Sequence, residues 1–231
     1  MLDMVKTKTH QTATMSAVTL LATTPQPTPR RDRLPAYKTI GYTLSISSRF
    51  LLSGMVGNGT IARADELIDW FWRSILHSGG AGLVAEGREH FLKGAAHVVM
   101  SNHSSLLDIP AMMGAVPGSL RMVTKQELFR VPVWGAALKA SGFIPIDRKN
   151  RQRAIEQLKK AQEQLAKGVN VWISPEGTRS RINVLGPFKK GGFHTALGLG
   201  APIIPAWIDG AFDIIEPDQW ASHYGLSLIH I

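Results

Sequence analysis

Short apolar segments alternate with amphipathic segments from residue 81 onward, and this alternation restricts the possible fold more than any other feature of the chain. The predicted strands cover residues 83–86, 96–100, 120–123, 142–146, 169–173 and 203–208, and the predicted helices cover residues 106–114, 126–139, 151–167 and 188–199. Strands that are joined through helices by short links are typical of an α/β sheet with helices on its faces. We therefore predict one such sheet within residues 81–231.

Two segments with different compositions precede this region. Residues 1–36 are rich in threonine, proline and basic residues, and we predict that they are disordered because they offer little apolar surface to bury. Residues 37–80 give two apolar or amphipathic segments joined by a glycine-rich break, and the second carries a stripe at helical spacing. That stripe consists of Leu67, Ile68, Phe71, Trp72, Ile75 and Leu76. We predict an amphipathic helix pair in a membrane interface; the alternative is a helical hairpin packed on the core.

Composition limits the function classes. The chain has 26 Lys and Arg residues against 17 Asp and Glu residues, and the resulting net charge of +9 indicates an anionic partner. The absence of cysteine excludes a disulfide scaffold, a thiolate nucleophile and a cysteine-based zinc site. No pattern typical of a nucleic-acid-binding fold is present, so we expect no nucleic acid partner. No apolar run approaches the roughly 20 residues that span a bilayer. We expect a peripheral or monotopic membrane-associated protein at the cytoplasmic face.

Residues 101–108 read Ser-Asn-His-Ser-Ser-Leu-Leu-Asp and follow a predicted buried strand. On a continuous helix, side chains five residues apart point about 140° away from each other. His103 and Asp108 therefore meet only if His103 lies in the turn before the helix and Asp108 reaches back from its first or second turn. Asp108 would then orient one imidazole nitrogen and leave the other as a base. The alternative is a plain turn followed by a helix with a surface Asp108.

The serines in this segment suit the start of a helix. Ser104 and Ser105 are favoured N-cap residues, and we predict that they cap the helix that follows. Backbone N–H groups at the start of that helix are candidate donors to an oxyanion.

Three more segments follow in order: Gly-Phe-Ile-Pro-Ile-Asp-Arg at 142–148, Ser-Pro-Glu-Gly-Thr-Arg-Ser at 174–180, and Ala-Pro-Ile-Ile-Pro-Ala at 201–206. Together with residues 101–108 they resemble the four sequence blocks of the glycerophospholipid acyltransferases, and most of all those of the 1-acyl-sn-glycerol-3-phosphate (lysophosphatidate) acyltransferase family. The resemblance runs from about residue 84 to residue 207 and implies a glycerolipid acyltransferase-like fold.

The resemblance implies an enzyme that moves a fatty acyl group from an acyl thioester to the free hydroxyl of 1-acyl-glycerol-3-phosphate, giving phosphatidic acid. The co-substrate would be acyl-CoA or acyl-carrier protein, with no further cofactor and no metal. His103 and Asp108 would supply general-base catalysis, and with no nucleophilic Ser or Cys motif the hydroxyl attacks directly. The same chemistry on another lysolipid or on glycerol 3-phosphate stays open. A metal-dependent hydrolase is the alternative of another class, although recognisable further ligands are missing.

The second and third blocks are interpreted as the acceptor site. Arg148 and Arg179 follow predicted strands, and two guanidinium groups suit a phosphate monoester. The alternative for Arg148 is an ion pair with Asp147 or another nearby acid. Glu176 is expected to bind a glycerol hydroxyl or to orient Arg179, unless it is a buried structural carboxylate.

Four further residues complete the predicted site. The resemblance places Gly177 and Thr178 in the same acceptor loop as Arg179. Lys125 and Lys189 are candidates for contact with the acceptor phosphate or with phosphates of a CoA-type donor. The alternative for both lysines is a solvated surface position.

Overall fold

The computed structural model describes residues 60–78, 81–198, 200–215 and 225–231, together with the single residues 41, 44, 45, 48, 49 and 52. The predicted tail at residues 1–36 and most of the first predicted N-terminal helix lie outside these residues. The strands are β1 (Ala81–Glu86), β2 (Val98–Ser101), β3 (Leu120–Lys125), β4 (Ile144–Ile146), β5 (Asn170–Ile173), β6 (Ile203–Asp209) and β7 (Gly225–His230). The helices are α1 (Ile61–Ser78), α2 (Asp108–Ala115), α3 (Trp134–Ala140), α4 (Arg151–Ala166), α5 (Gly191–Leu197) and α6 (Ala211–Ile214).

The strands form one mixed sheet in the order β1-β7-β6-β2-β5-β3-β4. Neighbours from β6 to β4 pair in parallel, whereas β7 is antiparallel to β6 and parallel to β1. The carboxyl ends of five strands consequently lie along the same side of the sheet. We call this side the carboxyl edge; its strands end at Ser101, Lys125, Ile146, Ile173 and Asp209.

The central strands are buried along their whole length because helices cover both faces of the sheet. All four residues of β2 and all four of β5 are buried. Val99 and Trp172 point into one core, which α1 and α2 complete, and their neighbours point into a second core with α4 and α5. The predicted α/β sheet with helices on its faces is confirmed.

The helix predicted for residues 126–139 is wrong. The structure has a 3₁₀ turn at Gln126–Arg130 and then α3, separated by Pro132 and by Val133, whose φ is +63°. Proline disfavours a helical residue before it and has no N–H to donate, so the segment divides there. Two further elements, α6 and β7, lie within residues 209–231, for which the sequence predicts no element.

Helix α1 corresponds to the second predicted N-terminal helix, but its apolar stripe packs on the domain. Leu67, Ile75 and Leu76 are buried in the cores, and Ile68, Phe71 and Trp72 pack against them. The prediction that the stripe lies in a membrane interface is therefore wrong for the buried residues, and packing on the core describes α1.

An ion pair between a buried arginine and a partly exposed aspartate also joins α1 to the sheet. Arg121 on β3, only 1% exposed, donates to Asp65 of α1 at 2.7 Å.

None of the helices that the structure describes is long and apolar enough to cross a membrane.

Candidate active site

His103 and Asp108 meet in the turn between β2 and α2. Asp108 is the first residue of α2, and its Oδ2 lies 2.7 Å from Nδ1 of His103. The carboxylate reaches back toward the turn, which is the arrangement that the five-residue spacing requires. The Asp108 side chain is fully buried, whereas 18% of the His103 side chain is exposed. With Nδ1 facing Asp108, Nε2 is the ring nitrogen that can meet a substrate.

Asp108 also organises the backbone of the turn. Its Oδ2 accepts hydrogen bonds from the N–H groups of Ser104 at 2.7 Å and Ser105 at 2.9 Å. The prediction that the two serines cap the helix is wrong, because Leu107 is the residue before α2 and no side chain caps it. The Ser105 hydroxyl donates to the carbonyl of Ile215 and accepts from Leu107 N–H. The backbone N–H groups of Ser104, Ser105 and Leu107, at or just before the start of this helix, therefore already donate hydrogen bonds within the protein.

Glu176 holds the His103 turn against the loop that follows β5. Its Oε1 accepts from the N–H of His103 at 3.1 Å, and its Oε2 accepts from the N–H of Gly186 at 2.8 Å. The carbonyl of His103 in turn accepts from Ser180 N–H at 2.7 Å. The Glu176 side chain is buried, so its contacts are those of the structural carboxylate considered above. Its contact with an acceptor hydroxyl stays a prediction.

Two residues outside the predicted set hold His103 in place: Trp172 packs against its ring, and Asn102 fixes the turn to β6. The Trp172 and His103 rings pack nearly perpendicular to each other, with 5.8 Å between their centroids, and Trp172 Nε1 donates to Ser101 Oγ at 2.8 Å. The side-chain amide of Asn102 donates to the carbonyl of Ile208 and accepts from its N–H. Both contacts join segments that are far apart in the chain, so no local pattern indicates them.

The loop after β5 carries four of the predicted acceptor residues. Gly177 has a φ of +70°, and a Cβ atom there would lie 2.8 Å from Cδ of Lys189. The structure thus brings Lys189 over Gly177, which favours glycine at this position for space as well as conformation. Thr178 is exposed and Arg179 is half-buried, one residue before the Ser180 N–H that binds His103.

Lys125 and Arg148 lie at the ends of two neighbouring strands, β3 and β4, where Lys125 pairs with Ile146. Three strand spacings, about 14 Å, separate β4 from β2, the strand that precedes His103. Arg148 follows β4 and Arg179 follows β5, which is next to β2, so Arg148 is the arginine farther from the strand that leads to His103. Both side chains are exposed. Although the Arg148 side chain reaches solvent, desolvation by neighbouring protein atoms lowers the pKa of its guanidinium, and the Glu127 carboxylate opposes that shift.

The carboxylate of Asp147 is turned toward its own loop. It accepts from the N–H groups of Lys149 at 3.0 Å and Asn150 at 3.2 Å. The hydrogen bond from Lys149 is the main cause that lowers the pKa of Asp147. The charge of Glu127 therefore acts on Arg148, while the Asp147 carboxylate is engaged by backbone N–H groups.

A shallow cleft opens over the imidazole. It is lined by Asn102, His103, Ser104, Glu176, Ser180, Asn183, Val184, Leu185 and Trp207. Polar groups from the His103 turn form one part of its wall, and apolar side chains of the 180–186 loop and of β6 form another. Within the described part of the chain, no three His, Asp or Glu side chains come close enough together to hold a metal ion.

The site thus consists of a His–Asp pair in a turn at the carboxyl edge of a mixed α/β sheet. The family model described as Acyltransferase matches residues 83–209, which is more than half of the 231 residues. The chain belongs to this family, and the resemblance noted in the sequence is confirmed.

Several relatives carry the same kind of name. The chain is 39% identical over 127 residues to human 1-acyl-sn-glycerol-3-phosphate acyltransferase alpha, covering 54% of this chain and 45% of the relative. It is 32% identical over 155 residues to the Saccharomyces cerevisiae 1-acyl-sn-glycerol-3-phosphate acyltransferase, covering 66% and 51% respectively. The chain thus spans about half the length of these curated relatives.

A solved structure is also similar. The crystal structure of the 1-acyl-sn-glycerophosphate (LPA) acyltransferase PlsC from Thermotoga maritima matches with a TM-score of 0.63 and 25% identity. The match covers 83% of this chain and 84% of that one.

Proposed function

We propose that this protein transfers a fatty acyl group from an acyl thioester to the free hydroxyl of 1-acyl-glycerol-3-phosphate, giving phosphatidic acid. The contact between His103 Nδ1 and Asp108 Oδ2 at the carboxyl edge is the observation that supports this chemistry best. The names of the similar proteins support the choice of acceptor. Acyl-CoA or acyl-carrier protein is the proposed donor, and the membrane surface is the proposed location of the acceptor.

In the proposed mechanism His103 acts as the general base. Asp108 holds the Nδ1–H tautomer, so the Nε2 lone pair takes the proton of the acceptor hydroxyl as its oxygen attacks the thioester carbonyl. The tetrahedral intermediate then expels the thiolate, which receives a proton from the imidazolium. The N–H groups of Ser104 and Ser105 are occupied by Asp108, so other donors must stabilise the oxyanion.

The acceptor phosphate is assigned to Arg179 and Arg148. Arg179 lies beside the loop residue that binds the His103 backbone, which suits a phosphate close to the reacting hydroxyl. Arg148 approaches from β4 with Lys125 next to it, and Lys189 lies over Gly177 in the Arg179 loop. Guanidinium groups bind phosphate through paired charge-assisted hydrogen bonds, so this set favours an exposed phosphomonoester.

A matrix of donors and acceptors, with products read by mass spectrometry, tests the proposal. Acyl-CoA and acyl-carrier protein are each offered with lysophosphatidate, glycerol 3-phosphate and lysophosphatidylcholine. We expect phosphatidic acid from lysophosphatidate as the main product. Greater turnover of glycerol 3-phosphate or of a choline lysolipid would keep the chemistry and change the acceptor. Hydrolysis of the thioester without any acyl acceptor product would contradict the proposal.

A further inference from the structure

A group of exposed apolar side chains lies beside the cleft that contains His103. We call it the apolar rim; it consists of Ile182, Val184, Leu185 and Trp207, whose exposed fractions are 75%, 60%, 48% and 45%. Val184, Leu185 and Trp207 line the cleft itself, and Ile182 belongs to the same loop. Clustered apolar groups on a surface usually mark a site of interaction.

The loop that carries the rim is held in place by hydrogen bonds at several points. The Ser180 hydroxyl donates to the carbonyl of Val184 at 2.9 Å and accepts from its N–H at 3.2 Å. Asn183 has a φ of +52°, a conformation that asparagine tolerates better than most residues. Further along, Gly186 N–H binds Glu176 and Lys189 N–H donates to Pro175. The apolar side chains are therefore presented outward by a defined turn.

The charge around the rim indicates which partner it meets. Arg179, Arg181, Lys189 and Lys190 lie in or next to the loop that carries the rim, whereas the acids that border this stretch of sequence are the buried Glu176 and Asp209 at the end of β6. Apolar side chains next to a cationic segment complement an anionic lipid surface. The apolar side chains insert into the lipid, and the cationic side chains are attracted to its negative charge. Trp207 has the amphipathic ring that prefers the boundary between hydrocarbon and water.

We propose that the apolar rim is the surface through which this protein docks on an anionic lipid bilayer, with the cleft opening toward the membrane. The inference deepens the proposed function, on which it rests for the lipid nature of the acceptor. It places membrane contact on the 180–186 loop, whereas the α1 stripe faces the protein core. A lysolipid would then reach His103 without leaving the bilayer surface.

A pair of matched variants tests the docking surface. Ile182 and Leu197 are both 75% exposed, but Leu197 ends α5, next to the connection that enters β6 at the opposite edge of the sheet. The full chain is measured by sedimentation with vesicles of equal parts phosphatidylcholine and phosphatidylglycerol. We expect Ile182→Asp to raise the dissociation constant about tenfold or more, equivalent to about 1.4 kcal/mol, and Leu197→Asp to have little effect. Equal effects of the two variants would overturn the proposal.

A second measurement reports contact at the residue itself. Because the chain has no cysteine, Ile182→Cys and Leu197→Cys each accept a single environment-sensitive fluorophore. Addition of the same vesicles should shift the emission of the label at residue 182 and leave that at residue 197 unchanged. Binding without a shift at residue 182, or absence of binding, would overturn the proposal. A shift that depends on protein concentration without vesicles would assign the rim to self-association instead.

Docking and catalysis are separated by His103→Ala. If the rim docks on lipid, this variant should bind vesicles as the unmodified chain does. If the unmodified chain does not bind the vesicles but still forms phosphatidic acid, the rim proposal is wrong and the proposed function stands. If the label at residue 182 shifts but no acyl transfer occurs with any donor, the proposed function is wrong and the docking surface stands.

Discussion

The backbone N–H of His103 donates a hydrogen bond to Oε1 of Glu176 at 3.1 Å. The other carboxylate oxygen of Glu176 binds Gly186 N–H, so one buried side chain connects the His–Asp turn with the loop that carries Arg179. The position of the proposed base and that of the proposed phosphate-binding residue therefore depend on the same carboxylate.

The first prediction follows from this connection. Glu176→Gln replaces one acceptor oxygen by an NH₂ group, so one buried backbone N–H loses its partner, at a cost of about 1–3 kcal/mol. We expect kcat to fall about 10–100-fold, with a smaller change in the acceptor KM. Glu163→Gln, at an exposed position on α4, is the matched control and should leave both constants unchanged. Steady-state kinetics together with chemical unfolding measure the two effects.

A different result would assign Glu176 to substrate binding. If the acceptor KM rises while kcat and the free energy of unfolding stay the same, its carboxylate contacts the acceptor hydroxyl. That contact was the prediction from the sequence.

The second prediction concerns the proposed base. His103→Ala should lower kcat by about 10²–10⁴ because general-base catalysis is lost, and Asp108→Asn should lose most of the activity because the imidazole loses its orienting charge. His194→Ala, an exposed histidine on α5, is the control. Circular dichroism checks that each variant folds. Near-normal turnover of His103→Ala would refute the mechanism.

The same assay separates the metal-dependent alternative. Activity should be unchanged in EDTA, since the proposed chemistry needs only the His–Asp pair. A loss of activity that zinc restores would support a metal-dependent hydrolase.

The third prediction separates the acceptor from the donor. Arg179→Ala and Arg148→Ala each remove charge-assisted hydrogen bonds worth about 1.5–3 kcal/mol, so the acceptor KM should rise about 10–100-fold. The donor KM should change much less. Arg73→Ala, which removes an exposed arginine paired with Asp69 on α1, is the control. A rise in the donor KM alone would mean that the two substrate sites have been exchanged.

Much of the fold was predictable because its signals are local. The buried strands and α4 were recognised from continuous apolar runs and one-face spacing, and the contact of His103 with Asp108 follows from the geometry of a turn before a helix. The division at Pro132 differs from the prediction because apolar residues on both sides of the proline favour one continuous helix over residues 126–139.

The remaining contacts depend on segments that are distant in the chain. Glu176 and His103 are 73 residues apart, and Arg121 and Asp65 are 56 apart. A periodic pattern identifies an apolar face without identifying what covers it, which is why the α1 stripe was assigned to a membrane. Leu67 and Ile75 are buried in the protein interior, and a helix that packs on a core has the same apolar spacing as a helix that lies in a membrane interface.

The last prediction tests that correction. Ile75 on α1 is 7% exposed and belongs to the larger core, whereas Ile155 on α4 is 48% exposed. Ile75→Ala should lower the free energy of unfolding by about 2–5 kcal/mol, because it removes buried methyl groups and leaves a cavity. Ile155→Ala makes the same chemical change at the surface and should stay within about 0.5 kcal/mol. Urea unfolding measures both. If the Ile75→Ala variant keeps its stability but binds anionic vesicles less tightly, the result would show that the α1 stripe contacts the membrane.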